Sequence, residues 1–338
     1  MNIWKYQNNY KYQIEKEFQL ELDETNTNFV TNLNAETLKE IDFELDNLVF
    51  WNETINPTNS FKDRSLLYQI SYYFQQFGSK DNLHFAISSS GNAAIAAANI
   101  CKKYNIKLDI FVSDKLNIGK LEKLNNFKSE FIQIHQSSKA KSDCVKFCNE
   151  NQVLNLRASE DDIAIEGYKS LAYDIFEQNL DFDSIFITCS SGTATLGIYE
   201  GMKEKLDLEG HLLPQFHIIQ TPVCRPIASN IIDLTNKELG IDEEGSLVTC
   251  VVDKVAKRKD IVTKLVLETS GTAWIVDNED LEKSKASLDR LSQHLILEDK
   301  ANILNDLTWN ALSSFAGTMR AKEKGWDFKN PLIIISGI

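Results

Sequence analysis

Residues His84–Asn105 read HFAISSSGNAAIAAANICKKYN: a short apolar run, a turn of serines and a glycine, then an alanine-rich segment whose composition favours helix. The same alternation continues downstream. KLDIFVS (107–113) reads as a strand, IGKLEKLNNF (118–127) as a helix, EFIQIH (130–135) as a strand, SKAKSDCVKFCNEN (138–151) as a helix and VLNLRA (153–158) as a strand. Strands separated by helices of this length need right-handed crossovers, so they build a mainly parallel sheet. A second series follows. EGYKSLAYDIFEQ (166–178) is amphipathic, with Tyr168, Leu171, Ala172, Ile175 and Phe176 on one face; the strand DSIFITCS (183–190), the helix ATLGIYEGMKEKL (194–206) and the strand QFHIIQT (215–221) come next. NILNDLTWNALSSFAGTMRAKEKG (302–325) predicts a long helix ending at Gly325, and PLIIISG (331–337) a last buried strand. The expected fold is α/β: two open twisted, mainly parallel sheets flanked by helices, forming two lobes with a cleft between them. Residues 1–45 read as a strand pair or an irregular arm, and 225–290 are ambiguous.

The 338 residues are 43% hydrophobic and 25% charged, ordinary globular proportions in a chain long enough for more than one lobe. A formal charge of −13 argues against nucleic acid, whose phosphates are bound by clustered Lys and Arg. The densest basic run, KVAKRKD at Lys254–Asp260, is read as a solvated loop. MNIWKYQNNY (1–10) lacks the apolar core of a signal peptide, and no stretch reaches the roughly 18 apolar residues of a membrane helix. A cytoplasmic protein with no membrane partner is expected. Six cysteines without a CxxC or HExxH pattern, and five scattered histidines, point to free thiols and no metal site.

Upstream, NPTNSFKDR (56–64) is rich in turn formers and ends inside a new helix. Ser60 with Asp63 three residues on matches a capping box, and Leu66, Leu67, Ile70, Tyr73, Phe74 and Phe77 carry an apolar stripe. Lys62 falls at the second helical position, where a cation is disfavoured by the exposed N–H groups. A surface lysine on a well-capped helix is one explanation; a reactive amine is the other. The junction of strand, small polar turn and helix recurs at SSSGN (88–92) and SSGTATLG (190–197). Helix N-termini are ready anion sites, and in open parallel sheets such loops lie at the carboxyl edge, where ligands bind. In SSGTATLG, Gly192 and Gly197 relieve crowding while Ser191, Thr193 and Thr195 add hydroxyls. The pattern is neither GxGxxG nor GxxxxGK[ST], which removes support for a nucleotide. Singly, each junction is also an ordinary tight turn. A lysine beside a phosphate cup is the arrangement for a Schiff base with a phosphorylated aldehyde cofactor, and pyridoxal phosphate fits.

NPTNSFKDR resembles the NPTGSFKDR motif of threonine synthases, one branch of the tryptophan-synthase-β-like, or fold-type II, pyridoxal-phosphate enzymes. SSSGNAAIAAA is similar to that family's asparagine loop, SSGTATLGIYEGMKE to its phosphate loop and following helix, IEGYKSLAYDIFEQ to its EGQKTLAFEIAEQL-type helix, and IIISG to the strand ending beside the pyridine nitrogen. The five motifs keep the family's order over roughly 48–338. The resemblance implies pyridoxal 5'-phosphate in the cleft between a large lobe of residues 1–65 and 158–338 and a small lobe of 66–157. It implies Lys62 as Schiff-base lysine and proton shuttle, Asn92 on the ring oxygen, and Ser191, Gly192, Thr193, Ala194 and Thr195 around the phosphate. Ser336 would meet the pyridine nitrogen, Glu298 would lie near the ring, and Ser89, Ser90 and Gly91 with Asn92 would grip the substrate carboxylate. Homodimers are common in the family.

Two departures matter. Asn59 replaces the motif's glycine. ASEDDIAIEG (158–167) places Ala164 where threonine synthases carry an arginine for the substrate phosphate, with Glu160, Asp161 and Asp162 nearby. That exchange removes a bidentate attraction and adds repulsion. The expected activity is a pyridoxal-phosphate lyase acting on a small amino acid by α-proton abstraction and β- or γ-elimination or replacement, threonine-synthase-like. A serine/threonine dehydratase or a β-replacing, cysteate-synthase-like enzyme is the alternative, and a non-catalytic metabolite-binding paralogue is a second one.

Overall fold

The computed structural model describes residues 1–23, 29–210, 212–232, 245–297 and 307–337. Strand β1 (Val30–Asn34) leads through the short helix α1 (Ala35–Lys39) into its antiparallel neighbour β2 (Asn47–Asn52); Asn34 caps α1 by accepting the Thr37 N–H. The apolar stripe beyond Lys62 forms α2 (Lys62–Phe77), which Gly78 ends in a left-handed conformation with its N–H on the Phe74 carbonyl. Then come β3 (His84–Ser88), α3 (Asn92–Tyr104), β4 (Lys107–Ser113), α4 (Ile118–Asn125), β5 (Ile132–Ser137), α5 (Ala140–Asn151) and β6 (Leu154–Asn155). The remainder is α6 (Ile163–Glu177), β7 (Ser184–Thr188), α7 (Thr193–Glu209), β8 (Gln215–Gln220), α8 (Lys259–Glu268), β9 (Ala273–Ile275), α9 (Asn278–Leu297), α10 (Trp309–Glu323) and β10 (Pro331–Ile335).

Spatial contacts divide the chain into two units, Met1–Asn26 with Ile55–Leu171, and Thr27–Thr54 with Ala172–Ile338. The first contains an all-parallel sheet of order β5-β4-β3-β6. The second contains a sheet of order β1-β2-β10-β7-β8-β9, parallel except for the β1–β2 pair. This is the α/β architecture the alternation implies. Strands β7 and β10 are buried at every position, as expected for parallel strands covered on both faces. Phe50, Phe186, Phe315 and Ile333 belong to the core of the second unit.

Two stretches differ from the sequence reading, each for a local reason. VLNLRA contributes only a two-residue strand, because Asn155 Oδ1 accepts the Arg157 N–H at 3.0 Å and turns the chain away. Helix α10 begins at Trp309, where Thr308 Oγ1 caps the Ala311 N–H; residues 302–306 lie outside the described residues. Of the two readings offered for the start of the chain, the first 23 residues take the irregular arm, with 3-10 turns at Ile3–Asn9 and Lys16–Phe18. Aromatic packing and single hydrogen bonds hold it on α2: Tyr10 lies 4.7 Å from Tyr68, the Tyr68 hydroxyl donates to the Tyr12 carbonyl, and Ser71 Oγ accepts the Leu20 N–H at 3.0 Å.

Buried His217 in β8 gives the second unit a pH dependence. Its ring stacks on Phe186 at 4.4 Å and meets Trp326 edge-on at 5.6 Å. Nδ1 accepts the Thr272 N–H at 3.2 Å, so the neutral ring carries its proton on Nε2, which Gln215 Oε1 accepts at 3.1 Å. Burial lowers the His217 pKa from 6.5 to about 3. The unfolded chain therefore binds this proton more readily, and the stability contribution is full above about pH 6.5 and lost as pH falls toward 3. The slope approaches ~1.4 kcal/mol per pH unit. Urea denaturation of the wild type and His217→Gln should diverge in pH dependence, the variant losing less by about 2 kcal/mol between about pH 6.5 and 5. Equal slopes would show that His217 is not held neutral.

Candidate active site

The turn before α2 is braced from both sides. Asn59 has φ 60°, a left-handed conformation that glycine adopts freely and asparagine tolerates better than other residues, so the departure from the family motif keeps the turn. Asn56 Nδ2 donates to the Ser60 carbonyl at 3.2 Å. The expected capping box is not closed. Ser60 Oγ accepts the Lys62 N–H at 3.3 Å, but the Asp63 carboxylate takes the Thr58 N–H at 2.8 Å and the Thr58 hydroxyl at 2.7 Å. Two charge-assisted bonds to Thr58 outweigh one to the Ser60 backbone. Lys62 is consequently the first residue of α2, not the second.

The Lys62 side chain is half-buried against aromatic rings. Its Nζ lies 4.8 Å from the Phe61 ring centroid and 5.6 Å from that of Tyr168, and it donates to Tyr168 Oη at 3.1 Å. Tyr168 is fully buried. It reaches the lysine because α6 approaches α2 at Gly167, where a Cβ would stand 2.5 Å from the Arg64 carbonyl oxygen and 2.6 Å from Ser65 Cα. Ser65 Oγ donates to the Ala164 carbonyl at 2.7 Å and Arg64 Nη1 to Ser170 Oγ at 3.2 Å, fastening the two helices on either side. Sequence reasoning placed Tyr168 on an apolar face and missed its hydroxyl. The available signal was a glycine inside a helical pattern immediately before it.

The loop Ser89, Ser90 and Gly91 carries β3 into α3, which begins at Asn92. No side chain caps this helix start; Ser89 Oγ instead accepts the Gly91 N–H at 3.3 Å, within the loop. A Cβ on Gly91 would meet nothing within 4 Å, so space opens in front of the exposed N–H groups. The half-buried Asn92 side chain has no hydrogen-bond partner among the described residues.

In the second unit, Gly192 precedes α7 with φ 85°, and a Cβ there would lie 2.6 Å from Val262 Cγ2. Only glycine satisfies both the backbone and the space. This helix start also has no side-chain cap. Ser191 Oγ and Thr193 Oγ1 are 3.0 Å apart, Ala194 is half-buried, and the Thr195 hydroxyl turns inward to Cys189 Sγ at 3.4 Å. Ser336 follows β10, whose Ile334 pairs with Ile187 of β7. It therefore leaves the same sheet edge as the loop after β7, one strand over, about 4.8 Å away. It is half-buried and has no hydrogen-bond partner among the described residues. Glu298 lies outside the described residues. The basic run needs a correction: Lys254, Lys257 and Lys259 are exposed as expected of a solvated loop, but Arg258 is 8% exposed and donates to Thr193 Oγ1 at 3.0 Å.

The family described as pyridoxal-phosphate dependent enzyme matches residues 24–292. The chain belongs to that family. A threonine synthase of Halalkalibacterium halodurans is 25% identical over 180 residues, covering 53% of this chain and 50% of that one. The chain thus spans about half the length of this curated relative. Among solved structures, a pyridoxal 5'-phosphate-dependent aspartate racemase has a TM-score of 0.70 at 16% identity, over 91% of this chain and 89% of that one. Maize serine racemase has a TM-score of 0.68 at 16% identity, over 91% and 87%. At that identity the likeness concerns the fold. Each unit by itself carries features that fit the cofactor: in the second, a glycine cradle that a Cβ would fill, an uncapped helix start suited to a phosphate and the polar Ser336; in the first, an amine on aromatic faces and the polar Asn92. Among the described residues no group of three or more His, Cys, Asp or Glu could hold a metal, and no helix is long and apolar enough to cross a membrane.

Proposed function

We propose that this pyridoxal-phosphate enzyme is a threonine-synthase-like lyase that removes the α-proton of a small amino acid and then expels or replaces a β- or γ-substituent. The observation that carries this reading is the Lys62 amine, braced at a helix start and oriented by a fully buried tyrosine. Lys62 would hold the cofactor's aldehyde, the backbone of 192–195 with Ser191 its phosphate, Asn92 its ring oxygen and Ser336 its pyridine nitrogen. When bound, the cofactor supplies an electron-poor ring that spreads the charge left by a departing α-proton. Lys62 Nζ receives that proton. Because one amine hydrogen is given to Tyr168 Oη at 3.1 Å, the nitrogen lone pair is restricted to the two remaining staggered directions, and less reorientation is needed for transfer. The uncapped start of α3, with Ser89, Ser90 and Asn92, would hold the substrate carboxylate.

Ala164 supports a substrate without a phosphate. It is fully buried, and its carbonyl is taken by Ser65. The acids beside it are partly committed: Asp161 accepts from Gln69 Nε2 and from Tyr73 Oη at 2.8 Å, and Glu160 pairs with Arg157 at 2.8 Å. The repulsion expected from sequence is smaller for that reason, while the missing arginine still removes the usual attraction. This observation favours the second reading, serine/threonine dehydration or β-replacement, over threonine formation. Purified protein with pyridoxal phosphate should be mixed separately with L-serine, L-threonine and phosphohomoserine, following the visible spectrum, 2-oxo acid and inorganic phosphate. A spectral change with 2-oxo acid from serine or threonine supports dehydration. Phosphate release from phosphohomoserine would overturn the argument from Ala164. A spectrum that no amino acid perturbs would leave the metabolite-binding paralogue in place of an enzyme.

A further inference from the structure

We propose that Arg258 charges the phosphate cup from behind, through a hydroxyl relay from Arg258 to Thr193 to Ser191 that presents the Ser191 proton to the cofactor phosphate. The proposal rests on reading residues 191–195 as that cup. A guanidinium has donors and no acceptor, so Thr193 Oγ1, 3.0 Å from Arg258 Nη1, must accept. With that cationic donor on it, the Thr193 hydroxyl hydrogen is directed to Ser191 Oγ, 3.0 Å away. Ser191 then keeps its own hydrogen for a ligand, and Ser191 is half-buried where Thr193 is 2% exposed. Each donor in such a chain polarises the next. A helix N-terminus alone offers only about half a positive charge to a phosphate, and the Arg258–Thr193 bond places a cationic donor behind it.

The segment carrying Arg258 is built against the loop at three residues, Ser190, Gly192 and Thr193. Ser190 Oγ accepts the Val252 and Asp253 N–H groups at 3.1 and 3.2 Å, Val262 fills the space that Gly192 leaves, and Arg258 reaches Thr193. Between these contacts the chain is strained: buried Ala256 has φ 43°, which costs a residue with a side chain about 1 kcal/mol or more. Asp253 Oδ1 holds this bend by accepting the Val255 and Ala256 N–H groups, both at 3.3 Å. The strained bend sets the chain direction from which Arg258, immediately before α8, turns inward while its neighbours Lys257 and Lys259 remain exposed.

The test is the ratio of apoprotein affinities for pyridoxal phosphate and for pyridoxal, measured by fluorescence titration. Attachment to Lys62 is common to both ligands, so the ratio isolates the phosphate. Arg258→Met should reduce the ratio about 10- to 100-fold, with Arg258→Lys restoring part of it. Thr193→Val, which keeps the shape and the arginine but breaks the relay, should reduce the ratio in the same direction, as should Ser191→Ala. Thr193→Val also covers the case in which Arg258→Met fails to fold. An unchanged ratio in Thr193→Val and Ser191→Ala, while Gly192→Ala lowers it, overturns the relay and leaves the cup. An unchanged ratio in all of them, Gly192→Ala included, overturns the cup and the relay together.

Discussion

Replacing Lys62 by Ala should lower turnover roughly 10³-fold or more while leaving pyridoxal phosphate able to bind. The variant loses both the amine that would carry the cofactor and the base that would take the α-proton, but the proposed phosphate contacts belong to residues 191–195 and are untouched. Borohydride reduction of the wild type followed by peptide mass analysis should locate the pyridoxyl group on Lys62; the variant should show no stoichiometric label. Stability should change little. Tyr168 Oη, fully buried, loses its donor at 3.1 Å, a cost of about 1 kcal/mol. Lys62→Met keeps an aliphatic stem over the Phe61 and Tyr168 rings and separates packing from chemistry. It should be as inactive as Lys62→Ala and closer to wild type in stability. A label on another lysine, or a variant within tenfold of wild-type turnover, would remove Lys62 from the centre of the mechanism.

What the sequence reveals here follows the range of the forces involved. The alternation of apolar runs and helical stripes places β3 to α5 and β7 to β8, because burial on parallel strands leaves a pattern within each segment. The length of β6, the start of α10 and the path of the N-terminal arm are set by single hydrogen bonds, from Asn155, Thr308 and the Tyr12 carbonyl, which leave no periodic trace. The site divides in the same way. The helix starts at Lys62, Asn92 and Thr193, on which the proposed site is built, are legible because turn chemistry is local. Tyr168 and Arg258 are not. One is a hydroxyl on an otherwise apolar helix face, and the other is the one basic residue turned inward in a run whose lysines are exposed. What marks both as candidates is the backbone beside them, the close approach at Gly167 and the left-handed Ala256.

Gly167→Ala carries the second large effect, about 2–4 kcal/mol of destabilisation, although alanine is the better helix former. Propensity alone would stabilise α6 by about 1 kcal/mol. The added methyl, however, would stand 2.5 Å from the Arg64 carbonyl oxygen and 2.6 Å from Ser65 Cα, and both are helix backbone that cannot swing aside as a side chain would. The helices have to separate, which strains the Ser65–Ala164 bond of 2.7 Å and the Arg64–Ser170 bond of 3.2 Å, each worth about 1 kcal/mol when buried. The clash and the lost bonds therefore outweigh propensity. Activity should fall further than stability, because the same separation carries Tyr168 Oη away from Lys62 Nζ, and a displacement of about 1 Å in a reacting group costs on the order of 10²-fold. Gly78→Ala is the matched control: it meets nothing within 4 Å and has φ 68°, so it should cost about 1–2 kcal/mol of backbone strain and leave turnover unchanged. Urea midpoints and kcat for the two variants decide the matter. If Gly167→Ala folds as stably as wild type with full activity, the approach of α6 to α2 does not position the lysine.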